Sequence, residues 1–317
     1  MDFSGSKLGR LVDRGGMAIV FVLLFIVLSL TVRNFPHREN LVGLALSVSM
    51  VGMVACTMLF CMASGDFDLS VESVVAFTGV LAAVVMNRTG SMAFGILAGA
   101  AAGGLVGLVN GVVIAHLGIN ALITTLATMQ ITRGLALIVS GGSAVGISLD
   151  AFLRLGNGQF LGVPVPVWVT LVCFLVFGFL LHGTTFGRQT LAIGGNREAA
   201  RLSGIRVQRA RVVIFVAQGL VAGCAGVILA SRMASGQPNT SAGFALDVIS
   251  ACVLGGVSLA GGSGTMLGVV VGVLIMGTVQ NAMNLCNVPT FYQYVARGTI
   301  LLAAVLFDRW RRSSVRA

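Results

Sequence analysis

Long apolar segments separated by short polar ones run through almost the whole chain. A membrane-spanning helix needs about 20 mainly apolar residues, and this pattern predicts an all-α fold, a polytopic membrane helix bundle of about ten transmembrane helices. The predicted spans are 17–33, 41–63, 71–87, 92–115, 120–139, 164–182, 212–231, 244–259, 266–286 and 292–307. They form one transmembrane domain, 17–307, between an N-terminal tail, 1–16, and a basic C-terminal tail, 308–317.

Two turns rich in glycine and polar residues interrupt this pattern, at 64–70 and 261–265. In many transporters, interrupted helices meet at the solute site. The first turn holds Asp66 and Asp68, and a carboxylate inside a membrane costs about 2.5–3.5 kcal/mol on insertion scales. Either these carboxylates contact a solute or an ion, or Asp68 or Ser70 caps the helix that starts near Val71.

Composition supports a membrane protein. Hydrophobic residues make up 56% of the 317 and charged residues 9%, whereas soluble domains carry roughly 25% charged residues. The formal charge of +10 would suit a nucleic-acid partner. The arginines lie at segment ends instead, as expected for a chain surrounded by membrane lipid, so no nucleic-acid partner is expected. The six cysteines and three histidines share no metal-binding spacing, and neither a metal nor a cofactor is predicted.

The distribution of lysine and arginine predicts the orientation, because cytoplasmic segments carry the excess of positive charge. Ten spans with an internal N-terminus place thirteen basic residues in the cytoplasm and five on the opposite side. Both termini and the segment 183–211 are then cytoplasmic, and the loop 140–163 is external.

The cytoplasmic segment 183–211 holds six of the 20 basic residues, and a short helix is predicted within it at 196–204. Asn196 is suited to begin this helix and Gly204 to end it. Small apolar side chains and charges share its surface, so it fits a groove of another protein. The alternative is a plain basic loop. The candidate docking residues are Asn196, Arg197, Glu198, Ala199, Ala200, Arg201 and Gly204.

The chain lacks the motif of a nucleotide hydrolase. Its only lysine, Lys7, lies in the N-terminal tail, so a phosphate-binding loop of the G-x-x-x-x-G-K type is impossible. No nucleophile or metalloprotease motif is present either. The chain is therefore predicted not to be an enzyme, and uphill transport would take its energy from a partner protein or from an ion gradient.

Several uncharged polar residues within the predicted spans are candidates for a solute path. A neutral hydrophilic solute needs hydrogen-bonding groups without fixed charge, yet hydrogen bonding between helices explains such residues equally well. With the two aspartates, the candidate path residues are Asp66, Asp68, Asn120, Thr124, Thr128, Asn281 and Asn284. Arg133 and Arg297 also lie within spans, and no carboxylate partner for them is evident from the sequence.

Two rows of glycine, spaced every four residues, mark faces where helices pack closely. One row is Gly95, Gly99, Gly103, Gly107 and Gly111, and the other is Gly264, Gly268 and Gly272.

The segment from Gly194 to Ile205 resembles the coupling helix of sugar-import ABC permeases of the ribose, xylose and arabinose group. The resemblance extends over almost the whole chain, including 47–56, 63–71, 120–130 and 250–259. The stretches 230–238 and 280–285, together with the one around Cys56, are most similar to the arabinose members of the group.

This resemblance implies a homodimeric permease of a bacterial inner membrane. A cytoplasmic ATP-binding subunit would dock on the coupling helix, and a periplasmic sugar-binding protein would deliver a monosaccharide to the outer face. The second copy of the chain would complete the sugar path. The alternative is a secondary transporter driven by H⁺ or Na⁺, with Asp66 and Asp68 as ion sites.

Overall fold

The computed structural model describes the backbone of residues 7–316 and the side chains of residues 16–306. Part of the predicted N-terminal tail, residues 1–6, lies outside the described residues. Residues 7–316 form thirteen helices. They are α1 (Lys7–Thr31), α2 (Arg38–Ala63), α3 (Val71–Thr89), α4 (Met92–Ala115), α5 (Ala121–Ser140), α6 (Asp150–Asn157), α7 (Val165–Gly183), α8 (Thr185–Gly195), α9 (Arg197–Leu202), α10 (Val207–Arg232), α11 (Phe244–Leu254), α12 (Met266–Leu285) and α13 (Thr290–Arg316).

The all-α fold is confirmed, and each of the ten predicted spans coincides with a helix. Among the described residues, seven helices are long and apolar enough to cross a membrane: α2, α3, α4, α5, α7, α10 and α12. The prediction of about ten transmembrane helices therefore holds only loosely. The clearest difference is α11, which has 11 residues and is about 16 Å long, roughly half of a hydrocarbon core.

The predicted span 244–259 is wrong at its C-terminal end, because the helix stops at Leu254. Gly255 is its C-cap, and Gly256 follows with a φ of +80°, a left-handed conformation that suits glycine and stops a helix. Two helices absent from the prediction, α6 and α8, lie in the segments that the apolar pattern assigns to loops. Residues 308–316, assigned to a tail, continue α13.

Helix α2 lies at the centre of the core. Every residue from Gly52 to Ala63 is buried, which agrees with a sequence that is apolar around the whole helix. The surrounding helices α10, α11, α12 and α7 pack against it.

The first predicted glycine row is a packing surface. On α4, a side chain at Gly103 would collide with the carbonyl oxygen of Gly219, and one at Gly107 with that of Phe215. Helices α4 and α10 therefore touch backbone to backbone, the arrangement for which such rows are selected. The second row acts alike, since Gly268 and Gly272 lie against the carbonyl oxygens of Gly255 and Ala251.

The predicted external loop 140–163 folds over the end of α10. Two short antiparallel pairs occur there, β1 (Val145–Gly146) with β4 (Ser235–Gly236) and β2 (Gln159–Phe160) with β3 (Val163–Pro164). The hydroxyl of Ser231 ties α6 to α10: it donates to the carbonyl of Phe152 at 2.6 Å and accepts from the N–H of Gly156 at 2.7 Å.

Candidate functional site

The short helix predicted at 196–204 is present as α9, and its ends are formed as the sequence predicts. The side-chain oxygen of Asn196 accepts a hydrogen bond from the N–H of Ala199 at 3.0 Å, which satisfies one of the free donors of the first turn. Gly204 ends the helix with a φ of +84°. Ala200 is buried against Ile193 and Ala210, so one side of α9 is fixed to the bundle.

The other candidate docking residues point outward. Asn196, Arg197, Glu198, Ala199, Arg201 and Gly204 are all exposed. Arg201 donates to both oxygens of Glu198 at 2.6 and 3.1 Å. This hydrogen bonding lowers the pKa of Glu198. The exposed surface of α9 thus presents a capped helix and a fixed pair of opposite charges.

Asp66 connects α9 to the interior of the bundle. Its carboxylate accepts a hydrogen bond from Arg197 of α9 at 2.8 Å. Arg211, near the start of α10, donates to both of its oxygens at 2.7 and 2.8 Å. A third Arg211 nitrogen donates to the carbonyl of Ile114, at the end of α4, at 3.2 Å. Asp66 and Arg211 together therefore tie α9, α10, α4 and the turn between α2 and α3.

The two predicted interruptions meet at the glycine pair that precedes α9. The N–H of Gly262 donates to the carbonyl of Ala63 at 2.9 Å. Gly194 lies directly against both residues, and an added Cβ there would collide with the carbonyl oxygen of Ala63. Gly261 and Gly262 have φ of +84° and +77°, which only glycine adopts freely. The end of α8, directly before α9, therefore touches both turns backbone to backbone.

Asp68 has a different surrounding. It is buried, and it accepts hydrogen bonds from the backbone N–H of Ser70 at 2.9 Å and from the Ser70 hydroxyl at 2.6 Å. The same hydroxyl accepts from Asn110 of α4 at 2.9 Å. Ser70 is the N-cap residue of α3, but its side chain makes no capping hydrogen bond. Asp68 therefore holds the turn before α3 and fixes it to α4, without capping the first turn of α3.

The remaining candidate path residues do not converge on one place. Asn120 caps α5 by accepting from the N–H of Leu122 at 2.9 Å. Thr124 and Thr128 donate to carbonyls of the preceding turn. Asn281 exchanges two hydrogen bonds with Asn40 of α2, at 2.8 and 3.0 Å. Their place in a solute path stays a prediction.

Comparison with known proteins identifies the family. A family model described as branched-chain amino acid transport system / permease component matches residues 40–305. The chain belongs to this family of permease components. It is 60% identical over 99% of its length to the L-arabinose transport system permease protein of Escherichia coli strain K12, of which it covers 95%. No solved structure matches the chain.

Two further relatives have similar coverage. The identity is 58% with the L-arabinose ABC transporter permease protein of Azospirillum brasilense, over 97% of this chain and 91% of the relative. It is 40% with the ribose import permease protein of Bacillus subtilis strain 168, over 90% of both chains. These matches confirm the resemblance to sugar-import ABC permeases.

Membership in the permease family decides several points of function. The chain is a multi-pass inner-membrane permease subunit of an ABC transport system and not an enzyme. ATP hydrolysis belongs to a separate subunit, and a solute-binding protein is the other partner that such a system implies. Among the described residues, no group of three or more histidine, cysteine or acidic side chains is arranged to hold a metal ion.

The structure also pairs Arg133 and Arg297, for which the sequence shows no carboxylate partner. Arg133 of α5 lies 3.5 Å from Glu72 of α3, and Arg297 of α13 lies 3.0 Å from Asp247 of α11. Both arginines lie within predicted apolar segments. Their partners are 61 and 50 residues away in the chain, so local spacing gives no sign of them.

Proposed function

We propose that this permease carries L-arabinose into the cell, driven by ATP hydrolysis in a partner subunit. The observation that carries the proposal is the identity of 60% over 99% of the chain to an L-arabinose permease, against 40% to a ribose permease. The family assignment favours an ATP-driven importer over the alternative of an ion-gradient-driven carrier.

The ATP-binding subunit docks on α9 in this proposal, through Asn196, Arg197, Glu198, Ala199, Arg201 and Gly204, with Ala200 anchoring the helix from below. Three features support it. The helix is exposed, its ends are fixed by a cap and a glycine, and the end of α8 directly before it touches both interrupted turns. In this proposal, a displacement of α9 moves the starts of α3 and α12 through these direct backbone contacts.

The orientation follows from this docking. The termini and α9 face the cytoplasm, and the opposite end, with α6 and the short strands, faces the sugar-binding protein. The bias of thirteen basic residues to five supports this orientation.

A second copy of the chain completes the path in the proposed assembly. Glu72, Arg133, Asp247 and Arg297 lie in or next to apolar helices, yet their side chains keep 15–26% of their surface exposed in the single chain. Charged groups in membrane proteins avoid lipid and face the protein interior or a water-filled cavity. A homodimer places this surface along the interface between the two copies.

Reconstitution into proteoliposomes with the ATP-binding and sugar-binding subunits tests the function. We expect uptake of L-arabinose that requires internal ATP, exceeds uptake of ribose and does not respond to an imposed H⁺ or Na⁺ gradient. Uptake driven by a gradient alone would support the secondary carrier instead. A preference for ribose would contradict the assignment of the sugar.

Docking on α9 is tested by Ala199→Arg, which adds a long charged side chain to the exposed face of the helix. We expect loss of ATP-driven uptake and of co-purification with the ATP-binding subunit, while the protein remains in the membrane. Ala151→Arg is the matched control for co-purification with the ATP-binding subunit, because Ala151 is also exposed on a short helix but lies at the opposite end. Gly204→Pro, which forbids the left-handed φ at that position, should act like Ala199→Arg.

A further inference from the structure

Two ion pairs link four helices within the apolar part of the bundle. Besides Glu72, Arg133 contacts the chain before α11, donating to the carbonyls of Pro238 at 2.6 Å and Thr240 at 2.9 Å. Arg297 donates to Asp247, and the ring of Tyr294 lies 5.8 Å from the guanidinium carbon.

The carboxylate of each pair lies in the first turn of its helix, Glu72 on α3 and Asp247 on α11. The second carboxylate oxygen of Glu72, in the first turn of α3, accepts from the N–H of Gly243 at 2.8 Å. Gly243 is the N-cap residue of α11, and Asp247 follows one turn later. Helix N-termini of interrupted helices carry partial positive charge and line the solute sites of several transporter folds.

The polar surface continues from these pairs to the end of the bundle opposite α9. Gln293 lies one turn before Arg297 on α13 and donates to Asn284 at 2.9 Å. Helix α12 begins beside the glycine turn that touches Gly194, and Asn284 lies 18 residues after Met266, about 27 Å along the helix. A row of polar side chains therefore leads from this opposite end to the two ion pairs.

The ion pairs retain unused hydrogen-bonding capacity. Within the described part of the chain, the buried Nε of Arg297 has no hydrogen-bond partner, and neither has the buried hydroxyl of Ser241, the residue after Thr240. All four charged side chains remain partly exposed. Buried polar groups are normally satisfied, so the two unpartnered groups mark a place where the single chain lacks a polar partner. The partly exposed carboxylates there can accept from an exchangeable polar ligand.

We propose that Glu72–Arg133 and Asp247–Arg297 form a sugar-binding site in the translocation path. A monosaccharide is neutral and presents hydroxyl groups that donate and accept, so a site of two carboxylates and two guanidinium groups matches it without net charge. The carboxylates accept from the sugar hydroxyls, the guanidinium groups donate to them, and the Tyr294 ring offers an apolar face to the C–H groups. This inference rests on the proposed function as a sugar permease.

Asp247→Asn and Glu72→Gln test the site, because they keep size and remove an acceptor charge. Uptake of L-arabinose and of D-ribose is measured separately in the reconstituted complex with ATP. We expect kcat/KM for L-arabinose to fall at least tenfold and the ratio between the two sugars to change. Thr299→Val is the matched control, since Thr299 is exposed on the same helix as Arg297 and donates to the carbonyl of Val295 within that helix.

A purely structural role makes a different prediction. If the ion pairs only hold helices together, a double variant with the charges exchanged, Asp247→Arg with Arg297→Asp, should behave like the unaltered protein. An unaltered uptake rate together with an unaltered sugar ratio in this double variant would overturn the proposal. An unchanged ratio in the folded single variants would overturn it too. Recovered thermal stability with an altered sugar ratio in the exchanged pair supports it. If the unaltered protein transports neither sugar, the proposed function itself fails.

Discussion

Arg211 and Asp66 form a bidentate ion pair between residues 145 positions apart, with N–O distances of 2.7 and 2.8 Å. Only 10% of the Arg211 side chain and 4% of the Asp66 side chain are exposed. Arg197 of α9 shares the same carboxylate, but its side chain is 45% exposed. The carboxylate therefore has one partner that holds the fold and one that belongs to the proposed docking helix.

Asp66→Ala should destabilise the protein strongly, because it leaves the Arg211 guanidinium buried without a counter-charge. Removing one partner of a buried pair typically costs about 3–5 kcal/mol. Thermal unfolding in detergent measures the loss. Arg197→Ala provides the comparison: it leaves the Asp66–Arg211 pair intact, so the unfolding temperature should change little while coupling of ATP hydrolysis to uptake weakens. Equal destabilisation by both variants would contradict this division of roles.

Gly194→Ala and Gly195→Ala should differ although the residues are adjacent. A methyl group on Gly194 would collide with the carbonyl oxygen of Ala63, whereas one on Gly195 enters open space. Overpacking of this kind costs about 1–3 kcal/mol. We expect Gly194→Ala to lower both the unfolding temperature and ATP-driven uptake, and Gly195→Ala to change neither. Normal uptake by Gly194→Ala would show that the contact between α8 and the two turns is not needed.

Gly107→Ala tests the contact of α4 with α10. The new methyl group would meet the carbonyl oxygen of Phe215, and the two helices would have to separate. We expect a lower unfolding temperature, corresponding to about 1–3 kcal/mol. Gly134→Ala on α5 is the control, since no atom lies near its added methyl group and alanine favours the helix. Equal unfolding temperatures for the two variants would be evidence against tight packing at this row.

Asn196→Ala should weaken α9 without affecting the rest of the bundle. Loss of an N-cap side chain costs about 0.5–2 kcal/mol, and here that cost falls on a helix of 6 residues. Faster hydrogen exchange at the N–H of Ala199 and weaker binding of the ATP-binding subunit are the expected results. Asn196→Asp retains an acceptor at the cap and should preserve both. If Asn196→Ala binds the subunit normally, the cap does not shape the docking surface.

Much of the local structure could be predicted from the sequence. The ten apolar segments, the Asn196 cap, the Gly204 stop and the two glycine rows all appear where the pattern places them. Each of these features depends on residues within a few positions of one another, because helix periodicity, capping and helix termination are local effects. The predicted end of α11 is wrong because apolar residues continue through Val257 to Leu259, whereas the Gly255–Gly256 pair stops the helix at Leu254.

The sequence by itself determined that the chain is a helical membrane protein with a short capped helix in a basic segment and without a phosphate-binding G-x-x-x-x-G-K loop. Only the tertiary structure decided what the buried charges do. Asp66 and Asp68 are two residues apart and chemically identical, yet one is held by two arginines and the other by Ser70. The carboxylate partners of Arg133 and Arg297 likewise could not be predicted from the sequence. The physical reason is that an ion pair depends on distance in space, and helix packing brings together residues whose separation along the chain carries no signal.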